Sequence, residues 1–505
     1  MERPNAATVH NTTGQHGEVR GLTLTRRSPQ FEGLFGRLFR TLPPARFEED
    51  MLRDLARAMT ASADPPTPET EHDDEENAGI SAGYTYFGQF IDHDLTFDPA
   101  SSLERENDPD GLVDYRTPRF DLDCIYGRGP DDQPYLYRRD KAGAVRMLLG
   151  DPLTGNAKDP NARGVPRIKP EPGEPARAVI GDPRNDENVI VSQLQANMLR
   201  FHNRMVDVLG SAEVEEVQRM VRWHYQWVVL HDFLPTIIGD KTAKSILDAI
   251  KPGDTGTALY RPSKEAFIPV EFAVAAYRFG HSMVRPIYRL NAGTPRLPIF
   301  SMNGDASLVG FRAFPSTWAI DWSLFFKMGD APPLGPTRVQ PAYKIDTSLV
   351  NPLGALPQSI AATVPSLTER NLVRGWRMQL PSGQAVARAI GAEVISDDAL
   401  RVGKATETNK ATNKRITEIS PRFANNAPLW YYILAEAQQQ LVKDDTPIRL
   451  GPVGGQLVGE VFVGLMLADS HSYLRQNPEF TPHPELVGKD GSFGIADLLR
   501  NAMMA

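Results

Sequence analysis

One cysteine, Cys124, stands among 505 residues. That excludes an intramolecular disulfide framework and any site needing two thiolates, such as a structural zinc cluster, and it suits a reducing compartment. Positive charge is not in excess: 55 Lys and Arg against 63 Asp and Glu leave a net charge of −8. A nucleic-acid backbone or an anionic membrane surface would find no basic footprint. Long apolar runs are missing as well, since the densest, at 429–434 and 461–467, fall far short of the roughly 18 residues of a membrane span. The opening stretch, MERPNAATVHNTTGQHGEVRG, has no apolar signal core. A cytoplasmic protein without a membrane span is the default expectation.

What is present is enough for a large core, with 41% hydrophobic residues. Gly and Pro, 40 and 42 of them, cluster between helical blocks rather than marking evenly spaced strands. Helical apolar spacing runs over 47–61, 80–95, 189–209, 214–234, 265–284, 384–391, 426–442 and 456–468. Long polar loops fill 98–178, 291–370 and 404–420, and loops of that length are usually functional or clamped. Asp182 and Pro183 read as an N-cap and N1 pair for the helix downstream. LGPVGGQ at 450–456 lacks the Lys and Ser/Thr of a phosphate-binding loop and is expected to open the helix that follows. The expected fold is mainly α: one large helical domain over 46–505, with long irregular loops and little β, preceded by an extension over 1–45.

Four segments carry chemistry. GYTYFGQFIDHDLTFDP, from 83 to 99, sets Gln89 and His93 one turn apart on a helix face otherwise made of Phe87, Phe90 and Leu95. Alone, His93 reads as a hydrogen-bonded core histidine. Its neighbours Asp92 and Asp94, however, project about a hundred degrees to either side, so three polar groups would face three directions. GDPRNDEN (181–188) places Arg184 and Glu187 at i, i+3, which by itself reads equally as an exposed ion pair. VAAYRFGHSMVR (274–285) brings a second histidine, His281, with Arg278 nearly one turn before it. TPRFDLDCIYG (117–127) offers Asp121 and Asp123, with Thr117 and intervening carbonyls, as oxygen donors for a hard cation or as ordinary turn residues.

In this order the segments resemble the animal-type haem peroxidase superfamily, also called the peroxidase–cyclooxygenase superfamily. GQFIDHDLTF is similar to its distal-histidine motif, GDPRNDEN to its distal-arginine motif and YRFGHSMV to its proximal-histidine motif. RMQLPSGQ, where the animal enzymes carry RDHG, resembles the bacterial branch. The resemblance implies a haem peroxidase that reduces hydrogen peroxide and oxidises halide, thiocyanate or phenols through a ferryl intermediate, with a part in the response to oxidative stress. It further implies that His93 is the distal acid/base, Arg184 its partner, Gln89 a ligand for distal water or halide, and His281 the axial ligand to iron. Asp92 and Glu187 match the carboxylates ester-linked to haem b. Asn188 stands where one relative has a vinyl-bonded methionine, so that third link is expected to be absent. Asn371 would accept the ring N–H of His281, with Arg278 and Arg374 beside the haem propionates. Asp94, Thr117, the Arg119 carbonyl, Asp121 and Asp123 match the family's calcium site. A fatty-acid dioxygenase of the same superfamily is the rival; its radical tyrosine would occupy the position of Arg278, one residue after Tyr277. A silent adhesion or scaffold protein is the third alternative.

Overall fold

The protein is described here by a computed structural model covering residues 32–62, 74–98, 107, 112–211, 213–263, 265–301, 306–358, 360–361, 363–442 and 446–505. Helices form at most of the places where apolar spacing predicts them. They are α1 (Glu49–Ala58), α2 (Gly83–Leu95), α3 (Val189–Leu209), α4 (Val214–Val228), α5 (Leu367–Arg377), α6 (Gly383–Ile390), α7 (Leu429–Val442) and α8 (Pro452–Ala468), with α9 (Ile495–Ala502) near the C-terminus. As expected, the LGPVGGQ stretch opens α8, with Pro452 in its first turn. Helix α2 packs on α3, α3 on α4 and α9, and α7 on α5, α6 and α8. Close approach depends on glycine: a Cβ on Gly83 would lie 2.4 Å from the Phe326 ring, and one on Gly464 2.4 Å from the Tyr260 ring.

Strands are few and short among the described residues. β1 (Gly33–Gly36) lies between β3 (Val113–Asp114), antiparallel, and β4 (Ile268–Pro269), parallel; β2 (Glu76–Ser81) pairs antiparallel with β5 (Pro341–Tyr343). Residues 1–31 of the expected extension lie outside the described residues. Its remainder packs on the body, where Leu38 and Phe39 donate backbone N–H to the buried Glu271 carboxylate at 3.1 Å.

Two departures bear on function. The helix expected over 265–284 is instead β4, a single turn at Val270–Ala273 and a 3₁₀ turn at Ala276–His281. This segment is buried on most sides, so apolar period does not report its backbone. Three residues per turn bring Arg278 and His281 onto the same side. Likewise Asp182 caps a short 3₁₀ turn, Pro183–Asp186, while α3 is capped by Asn188, whose Oδ1 accepts from Ile190 and Val191 N–H at 3.0 and 2.8 Å. The long loops are clamped rather than loose. Asp159 receives Arg200 of α3 at 2.9 Å, and Glu76 receives Arg285 at 2.8 Å and also Arg338.

The core also holds two neutral histidines. His202 donates Nε2–H to the Val145 carbonyl at 3.2 Å and accepts from Tyr126 at Nδ1; His224 donates Nδ1–H to Met220 and accepts the His483 N–H at Nε2. Burial pushes both down to about 4. The unfolded chain therefore binds more protons as pH drops below 6.5, and stability present above that value is lost on acidification. Each histidine contributes roughly 2–3 kcal/mol of this loss by pH 4. Urea unfolding at pH 7 and pH 5 checks it, and equal stability at the two would contradict it.

Candidate active site

The turn Pro183–Asp186 is pinned by its own first acid. Asp182 Oδ1 accepts the Arg184 backbone N–H at 2.8 Å, and its carboxylate also takes the Arg184 guanidinium, with Nη2 to Oδ2 at 2.7 Å. Arg116 approaches the same carboxylate at 2.7 Å. Burial alone would raise Asp182, but Arg116 and Arg184 hold it well below the usual carboxylate range. Arg184 Nη2 also donates to the His93 carbonyl at 3.0 Å, and the guanidinium lies 4.4 Å over the Phe97 ring. The sequence leaves open an exposed ion pair here; the structure instead gives a buried arginine, 6% exposed.

On α2, His93 is 4% exposed. Its Nδ1 meets Asn185 Oδ1 at 2.7 Å, and its Nε2 stands 3.9 Å from Glu187 Oε1. Burial, then Arg184, lower the pKa of the imidazole against the opposing pull of Glu187, Asp182 and Asp92. Gln89, one turn earlier, donates to Glu187 and accepts from Asn188 at 3.1 Å, so protein groups engage both ends of its amide. Asp92 Oδ1 accepts from Thr96 at 3.0 Å.

His281 projects from the other 3₁₀ turn. Its Nδ1 contacts Asn371 Nδ2 at 2.8 Å, while Asn371 Oδ1 accepts Arg278 Nη1 at 3.1 Å. This reverses the expected polarity. A guanidinium can only donate, so it claims the amide oxygen and leaves the NH₂ for the imidazole. Burial, then Arg278, depress His281 to about 3, leaving it neutral. Arg374 pairs with Asp98 at 3.3 Å. Burial and Arg374 lower Arg278 to about 10, and the same two causes lower Arg370.

A cavity of about 360 Å³ joins these groups. Gln89, Asp92, His93, Arg184, Glu187, Arg278, His281 and Arg374 all line it, with Tyr277 and Arg370. Its volume falls in the ~300–1,000 Å³ range of pockets that enclose sizeable organic ligands. The two histidines thus open onto one space. Asn371 lies just behind it, against His281.

Asp94 turns the other way, as its place between His93 and Leu95 predicts. Its carboxylate gathers with those of Asp121 and Asp123, one oxygen of each within 4.8 Å of the others. Asp94 Oδ2 and Asp123 Oδ1 are buried without a hydrogen bond. Burial raises all three, Asp123 to about 7, and mutual repulsion adds to the rise of Asp94 and Asp123. Thr117 donates to Asp121 at 2.8 Å, and Arg119 belongs to the same loop. Orphaned, mutually repelling carboxylate oxygens fit a bound cation.

Sequence reasoning missed Asn185, Phe97 and Arg370 and read Asp182 only as a cap. For Asp182 the signal stood inside GDPRNDEN; for Asn185 and Phe97 the contacts exist only after the turn folds onto α2.

A mainly helical body with two neutral imidazoles on one cavity defines the class, and comparison supplies the family. The family model described as animal haem peroxidase matches residues 101–303. Thyroid peroxidase of Rattus norvegicus is 24% identical over 402 residues, covering 75% of this chain and 40% of its own. Peroxidase A from Dictyostelium discoideum superposes with a TM-score of 0.58 at 16% identity, over 96% of this chain and 97% of that one. A fatty acid alpha-dioxygenase of Arabidopsis thaliana gives 0.55 at 14% identity, over 92% and 74%. The chain is thus similar to animal haem peroxidases over residues 101–303 and shares its fold with peroxidase A and with a fatty acid alpha-dioxygenase. It spans only 12% to 40% of the length of three curated relatives that it matches.

Proposed function

We propose that the protein is a haem peroxidase that reduces hydrogen peroxide and oxidises small anionic or phenolic donors. The observation that carries this reading is one cavity bearing two neutral imidazoles, with the buried Arg184 guanidinium on the His93 carbonyl at one and the Asn371–Arg278 pair behind the other. Haem fits the residues present. His281 Nε2 makes no hydrogen bond among the described residues and its ring is neutral, as an iron ligand must be. Arg278, Arg370 and Arg374 all line this cavity, a cationic set that suits two propionates. Haem would supply an iron position at which peroxide is held while its O–O bond is broken.

The chain's residues do the rest. His93 Nε2 accepts the proton of the bound peroxide oxygen and returns it to the departing one, a role worth about 10²–10⁴ in rate. Arg184 faces the charge that develops as the bond lengthens. Asp182 orients Arg184 by accepting both its backbone N–H and its guanidinium. At His281, ligation through Nε2 requires the Nδ1–H tautomer. With haem bound, Asn371 would have to turn its oxygen to His281 and release Arg278, which could then serve a propionate. Asp92 and Glu187 line the cavity where ester links to haem could form, and mass spectrometry of the haem peptide tests them.

Asp94, Asp121 and Asp123, aided by Thr117 and the Arg119 carbonyl, are proposed to hold calcium, tying α2 to the 117–123 loop. Calcium should raise the melting temperature by several degrees over EDTA-treated protein, and Asp94→Asn should abolish the difference. Identical melting with and without the ion, and no metal by elemental analysis, would remove this site.

Oxygenation of a fatty acid is a second reading, favoured by Tyr277 and the apolar cavity wall of Ile299, Phe300, Leu308 and Leu353. Against it, the Tyr277 hydroxyl donates to the Gly88 carbonyl at 3.1 Å, and the position three before His281 is Arg278. A steady-state screen decides between them. Peroxide with bromide, iodide, thiocyanate or a phenol should give turnover, whereas peroxide-free oxygen uptake on a fatty acid would favour the oxygenase.

A further inference from the structure

Three side chains and one carbonyl form a directional chain that ends at the proposed base. Gln195 Nε2 donates to the Cys124 carbonyl at 3.3 Å, Asn185 Nδ2 donates to Gln195 Oε1 at 2.8 Å, and Asn185 Oδ1 meets His93 Nδ1 at 2.7 Å. Asn185, Gln195 and Cys124 are each 0% exposed. We infer that Gln195 and Asn185 are positioning residues that dictate which nitrogen of His93 carries its proton, keeping the Nε2 lone pair on the cavity.

The direction is set at the far end. A carbonyl can only accept, so Gln195 must turn its NH₂ toward Cys124 and its oxygen toward Asn185. Asn185 must then donate to that oxygen, which leaves its own oxygen for His93. The imidazole answers with Nδ1–H, and Nε2 is left unprotonated. Reversing the amides would set Gln195 Oε1 against the Cys124 carbonyl, two buried acceptors with no proton between them. The carbonyl is also fenced in, because a Cβ on Gly181 would lie 2.6 Å from its oxygen. Neither amide is replaceable by a group of like shape that lacks the donor–acceptor pair. Gln195 does not line the cavity, so its effect on chemistry passes entirely through Asn185 and His93.

This inference rests on the peroxidase reading of His93 for its consequence in turnover, but the tautomer can be tested separately. Ring-¹⁵N-labelled histidine spectra of the purified protein should show His93 as a single Nδ1–H tautomer. Gln195→Leu should introduce the Nε2–H form and lower kcat/KM for peroxide by about tenfold or more. Gln193→Leu is the control. Gln193 lies on the same helix, is equally buried and bonds to the Trp318 carbonyl and the Ile320 N–H. It should match Gln195→Leu in any loss of stability while leaving the His93 tautomer intact. An Nε2–H tautomer in the wild-type protein overturns the inference even if no variant folds. So does an unchanged tautomer in Gln195→Leu. A wild-type protein that shows the Nδ1–H form yet never turns over peroxide would sink the peroxidase reading and leave the wiring standing.

Discussion

On the proposed function, His93→Ala should lower kcat/KM for hydrogen peroxide by about 10²–10⁴, with haem binding retained. The imidazole opens its Nε2 onto the cavity, with the Glu187 carboxylate 3.9 Å away. Gln89 is engaged at both ends by Glu187 and Asn188, and Arg184 is bound to Asp182. Because burial and Arg184 depress His93 below its ordinary value of 6.5, the base stays available on the acid side of neutrality. The acid limb of kcat/KM in the wild-type protein should therefore lie below pH 6.5, and His93→Ala should remove it. Stopped-flow mixing with peroxide measures both effects, and a rate unchanged in His93→Ala would mean that another group transfers the proton.

Asp182→Ala costs about 3–5 kcal/mol of folding stability, the typical result of stranding a buried charge. Arg116 keeps Asp123 at 3.4 Å, but among the described residues Arg184 keeps only the His93 carbonyl as a hydrogen-bond partner, beside the Phe97 ring. The Pro183–Asp186 turn also loses its cap, so Asn185 and Glu187 shift with it. Asp182→Asn keeps the cap but not the charge and should fall between. The sign with pH follows from the depressed carboxylate: its contribution is present above about pH 4 and is lost as pH falls below that. Denaturant unfolding of the two variants at neutral pH checks the order, and wild-type stability in Asp182→Ala would contradict the shared-carboxylate arrangement.

Much of the site was legible because its residues sit on short, strongly patterned segments. The alternation Asp92, His93, Asp94 predicts three directions; the structure gives two, with Asp92 and His93 on one cavity and Asp94 on the acidic loop. The main helices were readable from apolar period wherever one face met solvent, as in α1, where Met51, Leu52, Leu55 and Ala56 are the buried residues. Period failed at 265–284, where burial on most sides erases the contrast between faces. What stayed hidden depends on contacts made between segments distant in sequence. Asn185 reaches His93 across 92 positions and Arg278 reaches Asn371 across 93. The orientation of the Asn371 amide could not be read from a motif, because it is decided by competition between a guanidinium and an imidazole for one oxygen.

The proposed function requires that His281 hold the iron of a haem in the cavity that His93 also lines. Titration of the purified protein with hemin, followed by cyanide, tests it most directly. A Soret band saturating at one haem per chain and shifting with cyanide is expected in the wild-type protein and in His93→Ala, with the specific complex lost in His281→Ala. Equal, stoichiometric haem binding in His281→Ala, or a Soret band indifferent to cyanide in the wild-type protein, would contradict it.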